Sequence, residues 1–181
     1  NTDCIVVSLQ PLNRGVEQLV ARRAQYCKIK RLMNTKQKGD IAEQAVVLYA
    51  LKQGWEVLKP VGDRLPYDLV FDIQGVLVKV QVKLAWFNVK RQNYVVDTRR
   101  TKTNRRVMIR DNYTANDFDF AVIVLENLDV FYVIPCEIFI SYGSEIHLVE
   151  ADKRQRKPKS SEFRNAWDLI LQWAVPKEIS E

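Results

Sequence analysis

The sequence predicts a single mixed α/β domain built around a central sheet. Its 181 residues are enough for one domain with a real core and too few for two typical ones. The hydrophobic periodicity is helical, then strand-like over several segments, then helical again, which is the order expected of a mixed α/β fold. Hydrophobic residues make up 47% and charged residues 28% of the chain, a balance typical of soluble globular proteins.

The sequence carries no sign of a membrane span or of export. No apolar stretch approaches the roughly 20 residues that cross a bilayer, and no signal peptide is visible at the start. The three cysteines, Cys4, Cys27 and Cys136, are far apart and form no C-x-x-C pair. This usage favours reduced thiols over disulfides or a structural zinc site, so we expect a cytoplasmic protein.

We place the main domain over residues 34–175. Residues 1–33 are interpreted as an N-terminal extension that is either poorly ordered or not part of the native protein, and residues 176–181 as a C-terminal tail. At the start of the domain, Asp40 is predicted to cap a helix that runs to about Lys52. Because this helix is apolar on two neighbouring faces, we expect it to be buried over much of its circumference.

Alternating apolar and polar residues predict a run of strands after the helix. The strands are expected over residues 55–59, 68–73, 76–83, 94–97, 118–125 and 130–134. Gln74-Gly75 is a turn signal, so the strands on either side of it should form an antiparallel hairpin. Residues 138–140 continue the apolar pattern. A last helix is predicted from a cap at Ser161 to just before Pro176.

Four polar residues stand out because their neighbours are apolar. Glu43 lies inside the apolar helix, and Asp68 opens a strand. Gln81 and Lys83 lie two residues apart on one face of the following strand. The predicted hairpin can bring Asp68 alongside Gln81 and Lys83. A carboxylate, an amide oxygen and an ammonium group would then converge near one end of the sheet.

This combination of groups suits phosphodiester hydrolysis. A divalent ion needs hard oxygen ligands, which Asp68, Gln81 and the backbone carbonyl of Val82 can supply. Such an ion lowers the pKa of a bound water and stabilises the charge that builds on the phosphate. Lys83 can orient or deprotonate the attacking water and neutralise the transition state. Glu43 can hold the metal hydrate or a second ion.

Each of these residues also has a purely structural interpretation. Asp68 can cap a turn, Gln81 and Lys83 can be exposed strand residues, and Glu43 can face solvent from the helix. Asp72, four residues beyond Asp68, is an alternative metal ligand. The spacing of the residues, in a basic protein, favours the functional interpretation.

The chain carries a net charge of +6, and its positive charges are clustered. Two clusters are candidates for DNA binding: Arg99, Arg100, Lys102, Arg105, Arg106 and Arg110, then Lys153, Arg154, Arg156, Lys157 and Lys159. Basic clusters suit phosphate binding because each neutralised phosphate releases condensed counterions. The alternative for either cluster is a solvated loop rich in lysine and arginine.

The order Glu43, then Pro66-Tyr67-Asp68, then Gln81-Val82-Lys83 resembles the PD-(D/E)XK nuclease signature, with glutamine in the D/E position. More specifically, the chain resembles the group I intron homing endonucleases of that superfamily found in cyanobacteria. The similar stretches include KGDIAEQAVVLYALKQGWEVLKPVGDRLPYDLVFD, VKVQVK, YVVD followed by RRTKTNRR, NDFDFAV, and ISYGSEIHLVE with DKRQRKP. The resemblance covers residues 33 to 173.

The resemblance implies a restriction-endonuclease-like core, with a central mixed sheet flanked by helices. Asp68 would bind Mg²⁺, with Mn²⁺ able to substitute, and Gln81 would replace the usual acidic ligand, as it is known to do in this family. Lys83 would be the catalytic lysine, and Glu43 would support the metal site.

The resemblance also implies a biological role and partners. Family members act as homo-oligomers, here a dimer or a tetramer, that read long, nearly palindromic sites in double-stranded DNA and cut both strands. The expected location is the bacterial nucleoid. The first basic cluster would approach the DNA, where arginine can read guanine and Asn104 can read adenine.

Residues and motifs that the sequence lacks exclude several other classes of enzyme. His147 is the only histidine, which excludes HNH and His-Cys-box nucleases, and the lack of a G-x-x-x-x-G-K-[ST] loop argues against a nucleotide cofactor.

Two alternative functions stay open. One is a junction-resolving nuclease on a similar fold. The other is a DNA-binding protein impaired in cleavage, because Gln81 removes one negative charge from the ligand set.

Overall fold

The computed structural model describes residues 34–62, 64–103, 108–126, 128–150 and 158–175. Contacts divide the chain into two units, Asn1–Lys38 and Gly39–Glu181, and the described part of the first unit is the start of a helix. Several predictions lie outside the described residues: the extension over 1–33, the tail over 176–181, Asn104 to Arg106, and Lys153, Arg154, Arg156 and Lys157 of the second basic cluster. The side chain of Lys102 also lies outside them.

The helices and strands of the described ranges follow one another in this order. They are α1 (Thr35–Lys52), β1 (Glu56–Leu58), β2 (Leu69–Ile73), β3 (Val76–Asn88), β4 (Asn93–Asp97), β5 (Arg100–Thr103), β6 (Met108–Asp111), β7 (Phe120–Leu125), β8 (Phe131–Pro135), α2 (Cys136–Ser141), β9 (Glu145–Leu148), a 3₁₀ helix (Lys159–Phe163) and α3 (Asp168–Ala174). In the described ranges, every helix is too short or too polar to cross a bilayer.

Helix α1 begins at Thr35, so the predicted cap at Asp40 is wrong. The cap is Asn34, whose Oδ1 accepts the backbone N–H of Gln37 at 2.8 Å. The Gln37 side chain accepts the Asn34 N–H in return, at 3.1 Å. This reciprocal pair satisfies two of the N–H groups that a helix start leaves free, and it explains why the helix starts earlier than the apolar pattern does.

Helix α1 buries a narrow stripe, so the prediction of burial over much of its circumference is also wrong. Ala42, Val46 and Ala50 are buried, four residues apart along the helix. Ile41 and Leu48, on the neighbouring apolar face, are each more than half exposed. This stripe belongs to the same buried core as residues of the sheet.

The predicted hairpin is present, and it joins β2 to β3. Gln74 and Gly75 both have positive φ angles, 55° and 88°, as a two-residue turn between twisted strands requires. The register places Leu69 opposite Val80. β3 runs 13 residues, five more than the sequence predicts at Val76 to Lys83, because it continues along β7 and β4.

The sheet is mixed, as predicted. Its order is β1-β2-β3-β4-β9, with β7 pairing both β3 and β8. The β3–β7 pair is parallel, whereas the other pairs of this sheet are antiparallel. β5 and β6 form a separate two-stranded hairpin that contains part of the first basic cluster.

Helices cover both faces of the sheet. Along β7, Phe120, Val122 and Val124 belong to one core, and the residues between them belong to the other. Residues of α1 and α3 lie in the first core, and residues of α2 and of the 3₁₀ helix lie in the second. The central sheet flanked by helices is therefore confirmed.

The C-terminal elements differ from the prediction. The last helix begins at Asp168 and not at Ser161, because Asn165 interrupts it with a φ of 52°. Asn165 is pinned to β8, where its N–H donates to the Phe131 carbonyl and its side-chain oxygen accepts the Phe131 N–H. Residues 138–140 belong to helix α2, which at six residues is too short to produce a clear helical period.

Candidate active site

Asp68 lies where β2 begins, beside β3. Its backbone N–H donates to the Val80 carbonyl at 3.0 Å, which extends the β2–β3 ladder by one residue. Its carboxylate oxygen Oδ2 accepts the Val82 N–H at 2.9 Å and the side-chain amide of Gln81 at 2.5 Å. The hairpin thus brings Asp68, Gln81 and Val82 together at one point of the sheet.

The Gln81 side chain is buried and its Nε2 lies between two oxygen atoms. These are Asp68 Oδ2 at 2.5 Å and the Val82 carbonyl oxygen at 3.1 Å. A half turn of the amide puts Oε1 in place of Nε2, so that a carboxylate, an amide and a carbonyl oxygen converge. Such hard oxygen donors fit a Mg²⁺-like ion, although the described residues hold no group of three or more His, Cys, Asp or Glu side chains suited to a metal.

The environment of Asp68 disfavours its charged form when no metal is bound. Burial raises the pKa of Asp68 from 3.8 to about 6, and the hydrogen bond from Val82 partly opposes this. The negative charge of Glu43 raises the pKa further, whereas Lys83 and Lys59 lower it. A carboxylate that is costly to ionise gains most from a cation beside it.

Lys83 follows Gln81 on the same face of β3, but its ammonium group points to different partners. Nζ donates to the backbone carbonyl of Arg99 at 2.8 Å and lies 4.9 Å from the ring centroid of Tyr113. Burial lowers the pKa of Lys83 to about 8, while the charges of Asp68 and Asp97 raise it. Lys83 is therefore a cation whose proton is held less tightly than that of an ordinary lysine.

Glu43 and Asp68 face the same cleft, which has a volume of about 300 Å³. Its walls are formed by Glu43, Lys59, Pro60, Gly62, Leu65, Tyr67, Asp68, Gln81, Arg100 and Thr101. Glu43 is half-buried and forms an ion pair with Lys59 at 3.2 Å. Lys59 could not be predicted from the sequence, because the three-residue strand before it is too short to indicate which way its side chain points.

The basic hairpin β5–β6 adjoins this cleft. Arg100 and Thr101 of β5 line it, and the Arg100 guanidinium donates to the carbonyls of Arg64 and Leu65 at 2.8 Å. This arginine therefore connects the hairpin to the loop that precedes Asp68.

Two other arginines of the first cluster lie beside Asp97. Arg99 donates to its carboxylate through Nε and Nη2, both at 3.0 Å, and Arg110 lies 3.7 Å from it. Burial raises the pKa of Asp97, but the hydrogen bonds and charge of Arg99, with the charge of Arg110, outweigh burial and lower it overall. Asp97 therefore stays ionised and fixes the geometry of this part of the cluster.

Asp72, the alternative ligand, lies elsewhere. Its Oδ1 accepts the N–H of Gly75 at 2.8 Å, so it stabilises the hairpin turn. It pairs with Leu77 across the hairpin, four residues from the Asp68 position, and does not line the cleft.

The fold and the cleft define a nuclease core: a mixed sheet in which one strand opens with an acidic residue and the next carries Gln-x-Lys. The family model for PD-(D/E)XK endonucleases matches residues 33–170. The chain therefore belongs to the PD-(D/E)XK endonuclease family, which confirms the resemblance inferred from Glu43, Asp68, Gln81 and Lys83.

Among solved structures, the chain is similar to the bacterial homing endonuclease I-Ssp6803I. The two are 63% identical with a TM-score of 0.75, over 80% of this chain and 98% of that chain. The crystal structure of MepB is 14% identical, with a TM-score of 0.41 over 66% of this chain and 89% of that chain. No curated protein matches. Enzymes of the PD-(D/E)XK family generally use divalent metal ions, and the chain is accordingly a metal-dependent endonuclease acting on DNA.

Proposed function

We propose that this protein is a site-specific homing endonuclease. It makes a double-strand cut with Mg²⁺ at a long, pseudo-palindromic site and so promotes the mobility of a group I intron. The observation that carries the proposal is the convergence of Asp68 Oδ2 and the Val82 carbonyl on the Gln81 side chain, in a cleft beside a basic hairpin. The likeness to I-Ssp6803I, a bacterial homing endonuclease, supports the specific role.

The Asp68 carboxylate, the Gln81 amide oxygen and the Val82 carbonyl would hold the ion, with Glu43 supporting the site across the cleft. When bound, Mg²⁺ supplies Lewis-acid stabilisation of the phosphate and activates water, and Mn²⁺ suits the same oxygen donors. Because Gln81 is neutral, this donor set carries one negative charge fewer than a set with two carboxylates. We expect weaker metal binding for that reason, without loss of cleavage.

Lys83 acts on the reacting phosphate. Its ammonium group neutralises the charge that develops in the transition state, and such stabilisation is strongest where water is excluded. Its pKa of about 8 lies close to working pH, which also suits a group that gives or takes a proton at the attacking water. Arg99 holds Nζ through its backbone carbonyl, at 2.8 Å.

The DNA surface is proposed to start at the cleft and follow the β5–β6 hairpin. Arg100 lines the cleft, and Arg99 and Arg110 are fixed by Asp97 nearby. The proposed DNA-binding residues are Arg99, Arg100, Lys102, Asn104, Arg105, Arg106 and Arg110, with Lys153, Arg154 and Arg156 in the second cluster. Lysines and some of the arginines would hold phosphates, while other arginines and Asn104 would read base edges.

A homo-oligomer, either a dimer or a tetramer, is part of the proposal. A pseudo-palindromic site is matched by a protein with two-fold symmetry, which places one active site on each strand. Trp86, Phe87 and Val89, at the end of β3, are exposed apolar side chains of the kind that subunit contacts cover. Light scattering coupled to size-exclusion chromatography tests this, and a monomer at micromolar concentration would contradict it.

The deciding experiment is cleavage of the intron-less allele of the host gene with Mg²⁺. We expect this allele to be cut and the intron-containing allele to be spared. Asp68→Ala and Lys83→Ala should abolish cutting and keep DNA binding, while Asp72→Asn, the matched control, should cut normally. Specific binding without any cutting would favour the impaired DNA-binding protein and implicate Gln81. Preferential cutting of four-way junctions would favour the resolving enzyme.

A further inference from the structure

Tyr113 lies two residues after β6 and is buried, with 7% of its surface exposed. Its ring faces the Lys83 ammonium group, whose Nζ is 4.9 Å from the ring centroid. Neither the charge pattern nor the nuclease signature of the sequence points to this tyrosine. Its chain position is 30 residues from Lys83, and only the fold brings the two together.

The Tyr113 ring is fixed by two other aromatic side chains. Phe118 packs against it edge-on, with centroids 5.1 Å apart and planes at 79°, and Phe139 lies 6.4 Å away at 61°. Phe118 and Phe139 in turn contact each other at 5.7 Å. Edge-to-face packing of this kind is a favoured aromatic geometry, so the ring presents one defined face to Lys83.

The Lys83 ammonium group is thus held from two directions. The Arg99 carbonyl accepts its hydrogen bond at 2.8 Å, and the negative face of the Tyr113 ring attracts its charge. A lysine side chain has four rotatable bonds, and one hydrogen bond alone leaves much of that freedom. Burial raises the pKa of the Tyr113 phenol, so its hydroxyl stays protonated and the ring stays neutral.

We propose that Tyr113 is a positioning residue for DNA cleavage, whose ring face holds Lys83 Nζ where it can reach the scissile phosphate. The inference rests on the proposed catalytic role of Lys83. It assigns the effect to the electron-rich face of the ring and not to the hydroxyl group. A residue that served the core alone would require only the volume of the ring.

The test is a set of variants assayed for single-turnover cleavage at saturating Mg²⁺ and for DNA affinity. Tyr113→Leu should slow cleavage about 10-fold, as loss of a desolvated cation–π contact implies, with little change in Kd. Tyr113→Phe keeps the ring and should keep the rate. Phe163→Leu is the matched control, because it removes a buried ring from the same core that does not pack against the Tyr113 ring.

A second replacement keeps the test informative if Tyr113→Leu does not fold. Pentafluorophenylalanine at position 113 preserves the shape of the ring and reverses its quadrupole, so it should slow cleavage while the protein stays folded. A normal rate with this residue would overturn the proposal. So would an equal loss of rate in Tyr113→Phe, or in Phe163→Leu.

The double variant separates this inference from the proposed function. In a Lys83→Ala background, where only trace cleavage over long incubations is left to measure, adding Tyr113→Leu should cause no further loss, because the residue it positions is gone. An additive loss would contradict the positioning role. Full activity of Lys83→Ala alone would instead overturn the proposed catalytic role of Lys83, whatever Tyr113 does.

Discussion

Replacing the central carboxylate of the active site should make the metal-free protein more stable. We expect Asp68→Asn to unfold at higher denaturant concentration than the wild type at pH 8 in EDTA. The reason is that burial raises the pKa of Asp68 to about 6, so that ionising it at pH 8 costs the folded state free energy. The asparagine carries no charge, and its oxygen can still accept the Val82 N–H and the Gln81 amide.

The size and pH range of the effect follow from the pKa. The folded value of about 6 lies above the ordinary 3.8, so the folded state binds the proton more tightly than the unfolded state. The cost is therefore absent below about pH 3.8, grows as the pH rises, and is complete above about pH 6. The difference of roughly two pH units corresponds to at most about 3 kcal/mol, and solvent screening at a partly exposed group lowers this to about 1 to 2 kcal/mol.

The assay is urea unfolding of both proteins at pH 8 and at pH 4. Asp68→Asn should gain stability at pH 8, and the gain should largely vanish at pH 4. Asp72→Asn serves as control, because it also replaces a carboxylate by an amide whose oxygen can still accept the Gly75 N–H, and it should give no such gain. Adding Mg²⁺ should stabilise the wild type by mass action and the variant much less. A loss of stability at pH 8, or an equal gain at both pH values, would refute the reasoning.

Two further predictions concern the ligand set and the DNA surface. Gln81→Glu replaces the hydrogen bond to Asp68 with a contact between carboxylates, and should cost about 1 to 3 kcal/mol in EDTA. Mg²⁺ should reverse this loss, and a melting temperature unchanged in EDTA would contradict the geometry. Removing the charges of Arg105 and Arg106 should lower the slope of log Kd against log salt by about 2, measured by fluorescence anisotropy. An unchanged slope would place the DNA surface elsewhere.

Local signals were sufficient for the part of the site that lies on one hairpin. Gln74-Gly75 fixes the turn, the turn fixes the register, and the two-residue period puts Gln81 and Lys83 on one face. The predicted hairpin alone was enough to place Asp68 beside Gln81 and Lys83, without any tertiary information. Strand β9 and helix α2 were not foreseen, because four and six residues are too few to establish a period.

Local sequence patterns could not predict which residues of other elements contact the site. Lys59 reaches Glu43 across 16 residues, and Tyr113 reaches Lys83 across 30. Neither spacing corresponds to a helix or strand period, so only the packed structure reveals these contacts. Arg100 was identified by its charge, but its place in the cleft and its bonds to the Arg64 and Leu65 carbonyls were not.

The way β2 begins explains why a backbone carbonyl is available to the site at all. The pairing of β3 with β2 extends from Val76 as far as Val80 and stops there. The Asp68 N–H makes the last backbone hydrogen bond of that ladder. Beyond it, both the N–H and the carbonyl of Val82 point to the side where β2 is absent, because backbone direction alternates along a strand. Buried backbone groups need partners, and here the Asp68 carboxylate takes the N–H while the Gln81 amide takes the carbonyl. The Val82 carbonyl oxygen is thus available to a metal because the β2–β3 ladder stops before it, so that its partner is a side chain and not another strand.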